Sequence, residues 1–164
     1  MRIVFSVRSR MRFNNGLKIS AFALLLSAGS GLSYAAPIRA CSLLDSQTAS
    51  VLAGGPVSEP FDAGWLCIYA ADSEKTSVEL AVSKITNAQE ASFLKDNGGA
   101  KKGDTYESIP ELPAKNQFAV TSYGKVGLTA FIHGKEINLI ISRRFTPDLK
   151  SAMIQAMKEI LSRL

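Results

Sequence analysis

The chain has 164 residues, 46% of them hydrophobic and 20% charged, with 19 Lys and Arg, 14 Asp and Glu and one His. Five of the basic residues and none of the acids precede Ala36, so the net charge of +5 belongs to the N-terminus and the remainder balances fourteen bases against fourteen acids. A neutral remainder has no basic field to draw in nucleic acid or anionic lipid, and both partner classes are set aside.

At the N-terminus, Arg2, Arg8, Arg10, Arg12 and Lys18 lead into an apolar run over 19–32, which ends at Ser33-Tyr-Ala35. A basic region, a short apolar stretch and a small-x-small site are the three parts of a secretory signal. The run has 14 residues, and a spanning helix needs roughly 20. Cleavage after Ala35 puts Ser33 and Ala35 in the small-residue positions; cleavage after Ala36 would put Tyr34 there. Met11 is an alternative start that shortens the signal to 25 residues. The expectation is a removed segment 1–35 and a single domain over 36–164, in the periplasm or the medium, with no membrane span after signal removal.

The only cysteines are Cys41 and Cys67. An even count in an exported chain reads as a disulfide, and closing a loop of this length stabilises by about 3 kcal/mol on the loop-entropy account. A lipid anchor at Cys41 is disfavoured by Arg39 beside the processing site and by the distance from the apolar run. A redox pair would need Cys-x-x-Cys spacing.

The elements follow in order. A short helix starts at the N-cap Asp45 and stops at Gly54-Gly-Pro56, with Leu43 and Leu44 leading in. A turn-rich stretch over 57–64 precedes a strand at 65–71. Residues 72–75 form a polar turn. The segment 76–85 alternates, with Val78, Leu80 and Val82 on one face and Glu79, Ala81 and Ser83 on the other, as a half-buried strand does. Asn87 as N-cap with Glu90 three residues on suggests a capping box for a second helix, ending at Asn97-Gly-Gly99. The stretch 98–117 reads as a long loop, with a possible edge strand at 105–109; loops of this length are uncommon and either functional or mobile.

Tyr123-Gly-Lys-Val126 and His133-Gly-Lys-Glu136 each place Gly-Lys between extended segments, which fits two-residue type II′ hairpins. That register sets Ile132 opposite Ile137, Ala130 opposite Leu139 and Leu128 opposite Ile141, all on a core face joined by Ala119, Thr121 and Tyr123. The other face then carries Phe118, Val120, Phe131 and Ile140, with Phe118 directly across from Phe131. Either a helix or the long loop covers these four residues, or they form an interaction face. The last helix has Thr146 as N-cap and Pro147 at N1, with Leu149, Met153, Met157, Ile160, Leu161 and Leu164 at helical spacing. The order α-β-β-α-(β)-β-β-β-α argues for an α+β fold, an antiparallel sheet of about five strands packed against two or three helices.

Cys41-Ser-Leu-Leu-Asp45, Ala49-Ser-Val-Leu-Ala-Gly54, Cys67-Ile-Tyr69 and Val78-Glu-Leu-Ala-Val82 resemble small secreted bacterial proteins of domain of unknown function family 3558. Ile109-Pro-Glu-Leu-Pro-Ala114 stands where that family often has Val-x-Gly-Leu-Gly-Asp, and Pro113 and Ala114 depart from the pattern. The resemblance implies an exported domain without an evident catalytic set, and it transfers no functional residues.

No metal-ligand spacing, nucleotide loop or catalytic constellation stands out, so no cofactor, metal or catalytic residue is assigned. His133 is placed at a hairpin end opposite Glu136, and one His without clustered ligands is a poor metal site. The function expected is a non-catalytic binding or interaction domain for an unknown protein or small ligand of the cell envelope. The alternatives are a small envelope hydrolase using His133, or an inhibitor of a secreted enzyme using the 98–117 loop.

Overall fold

Seven strands form one antiparallel sheet in the order β1-β2-β3-β7-β6-β5-β4. They are β1 Phe61–Asp62, β2 Leu66–Ala70, β3 Ser77–Lys84, β4 Thr105–Glu107, β5 Lys115–Val120, β6 Val126–Ile132 and β7 Lys135–Ile141. The helices are α1 Ala40–Leu43, α2 Ser46–Ala53, α3 Asn87–Lys95 and α4 Pro147–Ser162. This computed structural model describes residues 38–71, 76–96 and 101–164. The expected signal segment, the 72–75 turn and the Asn97-Gly-Gly99 stop lie outside them. The described residues belong to one compact unit spanning 35–164.

The α+β class holds, but among the described residues the sheet has seven strands rather than about five, and there are four helices. The edge strand considered at 105–109 is present as β4, Thr105–Glu107, at one end of the sheet; the pieces not expected are short, β1 with two residues and α1 with four. Segments of that length show no period that a sequence can display.

Helix ends follow their chemistry. Asp45 accepts the Thr48 N–H at 2.7 Å, and Gly54 closes α2 in the left-handed region at φ 78°. Thr146 caps α4 through the Leu149 N–H, with Pro147 in the first turn. For α3 the expected cap is one residue off: Thr86, not Asn87, is the N-cap, and Gln89, not Glu90, completes the capping box. Two arginines satisfy carbonyls near other helix ends, Arg143 at Leu52 and Arg163 at Leu43, each at 3.1 Å.

One face of the sheet carries Cys67, Tyr69, Val78, Leu80, Phe118, Val126, Leu128, Ala130, Ile137, Leu139 and Ile141. Ala49 and Leu52 of α2 and Leu149, Met153, Met157, Ile160 and Leu161 of α4 close over it as one core. The Cys41–Cys67 disulfide joins α1 to β2, and the Tyr69 hydroxyl donates to the Leu44 carbonyl at 2.8 Å. Both links fasten the N-terminal helical segment to the sheet.

The two hairpins depart from the expected turns, with different consequences. In the β6–β7 hairpin the loop is His133-Gly134, not Gly134-Lys135. Both residues have positive φ, 49° and 69°, as a type I′ turn requires. The partners become Leu128↔Leu139 and Ala130↔Ile137, so each pairing has moved by two residues and the core face is preserved. In the β5–β6 hairpin Thr121 and Lys125 bond to each other around the three-residue loop Ser122-Tyr-Gly124, and Gly124 lies at φ 78°. Here the pairing has moved by three, an odd number, which exchanges the two faces of β5. Phe118 pairs with Leu128 on the core side, and Tyr123 is exposed.

The 98–117 stretch, where described, is tied to the core. Ile109 and Leu112 are buried. Asn116 accepts the Ile109 N–H and donates to the Ile109 and Ala114 carbonyls at 2.7–2.9 Å.

Candidate functional site

The second face of the sheet is organised by register. One row crosses all seven strands: Phe61, Ile68, Glu79, Ile140, Gly127, Ala119 and Tyr106. A parallel row runs Leu66, Ala81, Asn138, Thr129 and Gln117. Adjacent strands rotate by roughly 20°, so the two ends of a row diverge and the middle strands β3, β7, β6 and β5 supply the usable floor. Ile68, Glu79, Ala81, Asn138, Ile140, Gly127 and Ala119 are all half-buried. Among the described residues nothing lies within 4 Å of where a Cβ on Gly127 would stand, so a side chain there would enter open space.

Helix α3 borders this face. It has no fully buried residue. Phe93 meets Phe131 edge-on, with ring centroids 5.3 Å apart, and Glu90 holds Lys115 at 2.7 Å. A cleft of about 350 Å³ lies along this border, lined by Leu94, Tyr106, Ser108, Lys115 and Gln117 among others. A second cleft, of about 400 Å³, lies between α2 and α4, with Asp45, Val51, Gln155 and Glu159 in its walls.

The four residues expected to share an interaction face do not share one. Phe118 is fully buried on the core side, tilted against Phe145 and beneath the Lys150 ammonium of α4. Val120 is on the same side, two residues on. Phe131 and Ile140 are on the opposite side, Phe131 under Phe93 and Ile140 between Glu79 and Gly127 in the cross-strand row. The separation follows from the three-residue β5–β6 loop. Glu79 and Ala81 were legible on this face from the alternation of β3. Gly127 and Ala119 were not, although a glycine inside a strand pattern is a signal of close approach or open space.

His133 is an exposed turn residue in the left-handed region. Glu136 does not face it; Glu136 pairs with Phe131. No group of three or more His, Cys, Asp or Glu able to hold a metal ion occurs among the described residues.

The carboxylates with shifted acidity are turn anchors. The Ser122 N–H is the main cause that lowers Asp104 from 3.8 to about 2, with help from the Lys101 N–H and the Tyr106 hydroxyl. Asp104 thereby fastens the approach to β4 to the β5–β6 loop. The Gly64 N–H and Arg39 lower Asp62, and the Thr48 N–H lowers Asp45.

No family model matches the chain. No curated protein and no solved structure matches it either.

Proposed function

We propose that this chain is an exported, non-catalytic binding domain that presents the second face of its sheet to a partner in the cell envelope. One observation carries the reading: a seven-stranded sheet closed by helices on one side keeps Ile68, Ile140, Ala119 and Gly127 only half-buried on the other. A half-covered apolar sheet face costs solubility, and such surfaces commonly mark interaction sites. The Cys41–Cys67 bridge and the absence of a helix long and apolar enough to cross a membrane, among the described residues, are compatible with export. Membership of family 3558 is part of the same proposal and rests on the Cys-Ser-Leu-Leu and Cys-Ile-Tyr motifs.

The test has two steps. The protein recovered outside the cytoplasm should begin at Ala36 by N-terminal sequencing. A photo-crosslinking side chain at Ala119 should then give discrete adducts in the exporting cell, and one at Lys158 on α4 should not. Placing a side chain in the open space with Gly127→Gln should remove the Ala119 adducts. Equal adducts from both positions, or none from Ala119, would count against this face as the binding surface.

The second reading, an inhibitor acting through the 98–117 loop, is favoured by one observation, the anchoring of that loop through Ile109, Leu112 and Asn116. Crosslinks from exposed Glu111 instead of Ala119 would select it.

A further inference from the structure

We infer that the partner of this face is an extended polypeptide segment carrying two basic side chains four residues apart; the inference rests on the face being the binding surface.

The two main rows hold one charged residue, Glu79, set among Ile68, Ile140 and Ala81. The next row toward α3 runs Ser83, Glu136, Phe131 and Lys115. Its lysine is already held by Glu90. Glu79 and Glu136 meet no cation among the described residues. Ser77 Oγ donates to Glu79 at 2.9 Å and Ser83 Oγ to Glu136 at 3.4 Å, with Ser142 Oγ 3.2 Å from Ser77 Oγ. A serine hydroxyl orients a carboxylate without bringing a positive charge to it. Covering either group with an apolar partner would desolvate an unpaired anion. A second copy of the chain would add carboxylates to carboxylates. A cationic partner is the one whose docking offsets the desolvation.

Spacing sets its form. Glu79 pairs with Ile140, and Ser83, four residues along β3, pairs with Glu136. Four residues of strand cover about 13 Å, the distance between residues i and i+4 of an extended partner lying along β3 and β7. The side chain at i+2 would then meet Ala81 and Asn138, where a small or β-branched group fits. Glu136 marks the inner limit, because its cross-strand neighbour Phe131 is beneath Phe93.

The probe is a synthetic nine-residue peptide of alternating Thr and Val with two lysines four apart, titrated into the exported form of the protein and followed by amide chemical shifts. Shifts are expected at Glu79, Ala81, Gly127 and Asn138. Replacing both lysines of the peptide by glutamine should weaken binding about ten-fold or more, as loss of charge-assisted contacts does. Glu79→Gln/Glu136→Gln in the protein should do the same with an unchanged thermal midpoint. The exchange on the peptide needs no protein variant and decides the matter if the double variant does not fold. Equal binding of the lysine and glutamine peptides, shifts confined to another surface, no binding at about 1 mM, or self-association through this face would each overturn the inference. The Ala119 crosslinks would persist in that event if the face is a binding surface of different chemistry.

Discussion

Asp104 accepts from the Lys101 and Ser122 N–H groups and from the Tyr106 hydroxyl, and these bonds exist for its ionised form. Its pKa in the folded chain lies below the ordinary 3.8, at about 2. The stabilisation is therefore complete above pH 4 and is lost as the pH falls from about 4 through 2. Thermal midpoints measured at pH 5 and pH 2.5 should fall further for the natural chain than for Asp104→Asn; an equal fall would remove Asp104 from the account. His133 is a second residue-scale case. It is the only non-glycine residue with positive φ among those described, and asparagine is favoured at that turn position. His133→Asn should leave the chain unchanged or stabilise it by about 0.5 kcal/mol in chemical denaturation. A loss of stability would mean that the imidazole makes a contact the structure does not contain. Gly54→Ala should act the other way. Its φ of 78° strains any side chain by roughly 1–2 kcal/mol, and the new methyl would strike the Arg143 guanidinium that bonds the Leu52 carbonyl.

At the scale of elements, the disulfide and the anchored loop make separate predictions. Cys41→Ala/Cys67→Ala should cost about 3 kcal/mol if the bridge acts by restricting the unfolded chain, since the two cysteines are 26 residues apart. Limited proteolysis should spare 108–117, because cutting there requires Ile109 and Leu112 to leave the core; Asn116→Ala should expose the segment to cleavage. The same elements show what was legible beforehand. Helices α2 and α4 were readable because Asp45, Gly54, Thr146 and Pro147 each have one good use in that context. The hairpins were readable in existence but not in register. Gly-Lys occurs in both, and a glycine with positive φ suits the first position of one turn type and the last of another. The β6–β7 error was an even shift and left every side chain on its face. The β5–β6 error was odd and carried Phe118 into the core. The signal that separates the cases is Thr121, whose hydroxyl closes the longer loop on Lys125.

For the whole molecule, the α+β class and the core face followed from the alternation in β3, β6 and β7 and from the helical spacing in α4. The open face was only half legible, because its defining residues Gly127 and Ala119 have no periodic signature and acquire meaning through their cross-strand neighbours. The edge strand β4 was readable in 105–109, whereas the two-residue β1 exists through its pairing with β2 rather than through local preference. Adjacent residues of β7 distinguish a sheet with one closed and one open side from a sheet covered on both. Leu139 is fully buried beneath the helices, while Ile140 points to the open side beside Glu79. Chemical denaturation of Leu139→Lys and Ile140→Lys measures both faces with the same substitution. Leu139→Lys should fail to fold or lose most of its stability, as a buried unpaired charge demands, and Ile140→Lys should stay folded with about 1 kcal/mol of change or less. Comparable collapse of both variants would show that the second face is closed as well.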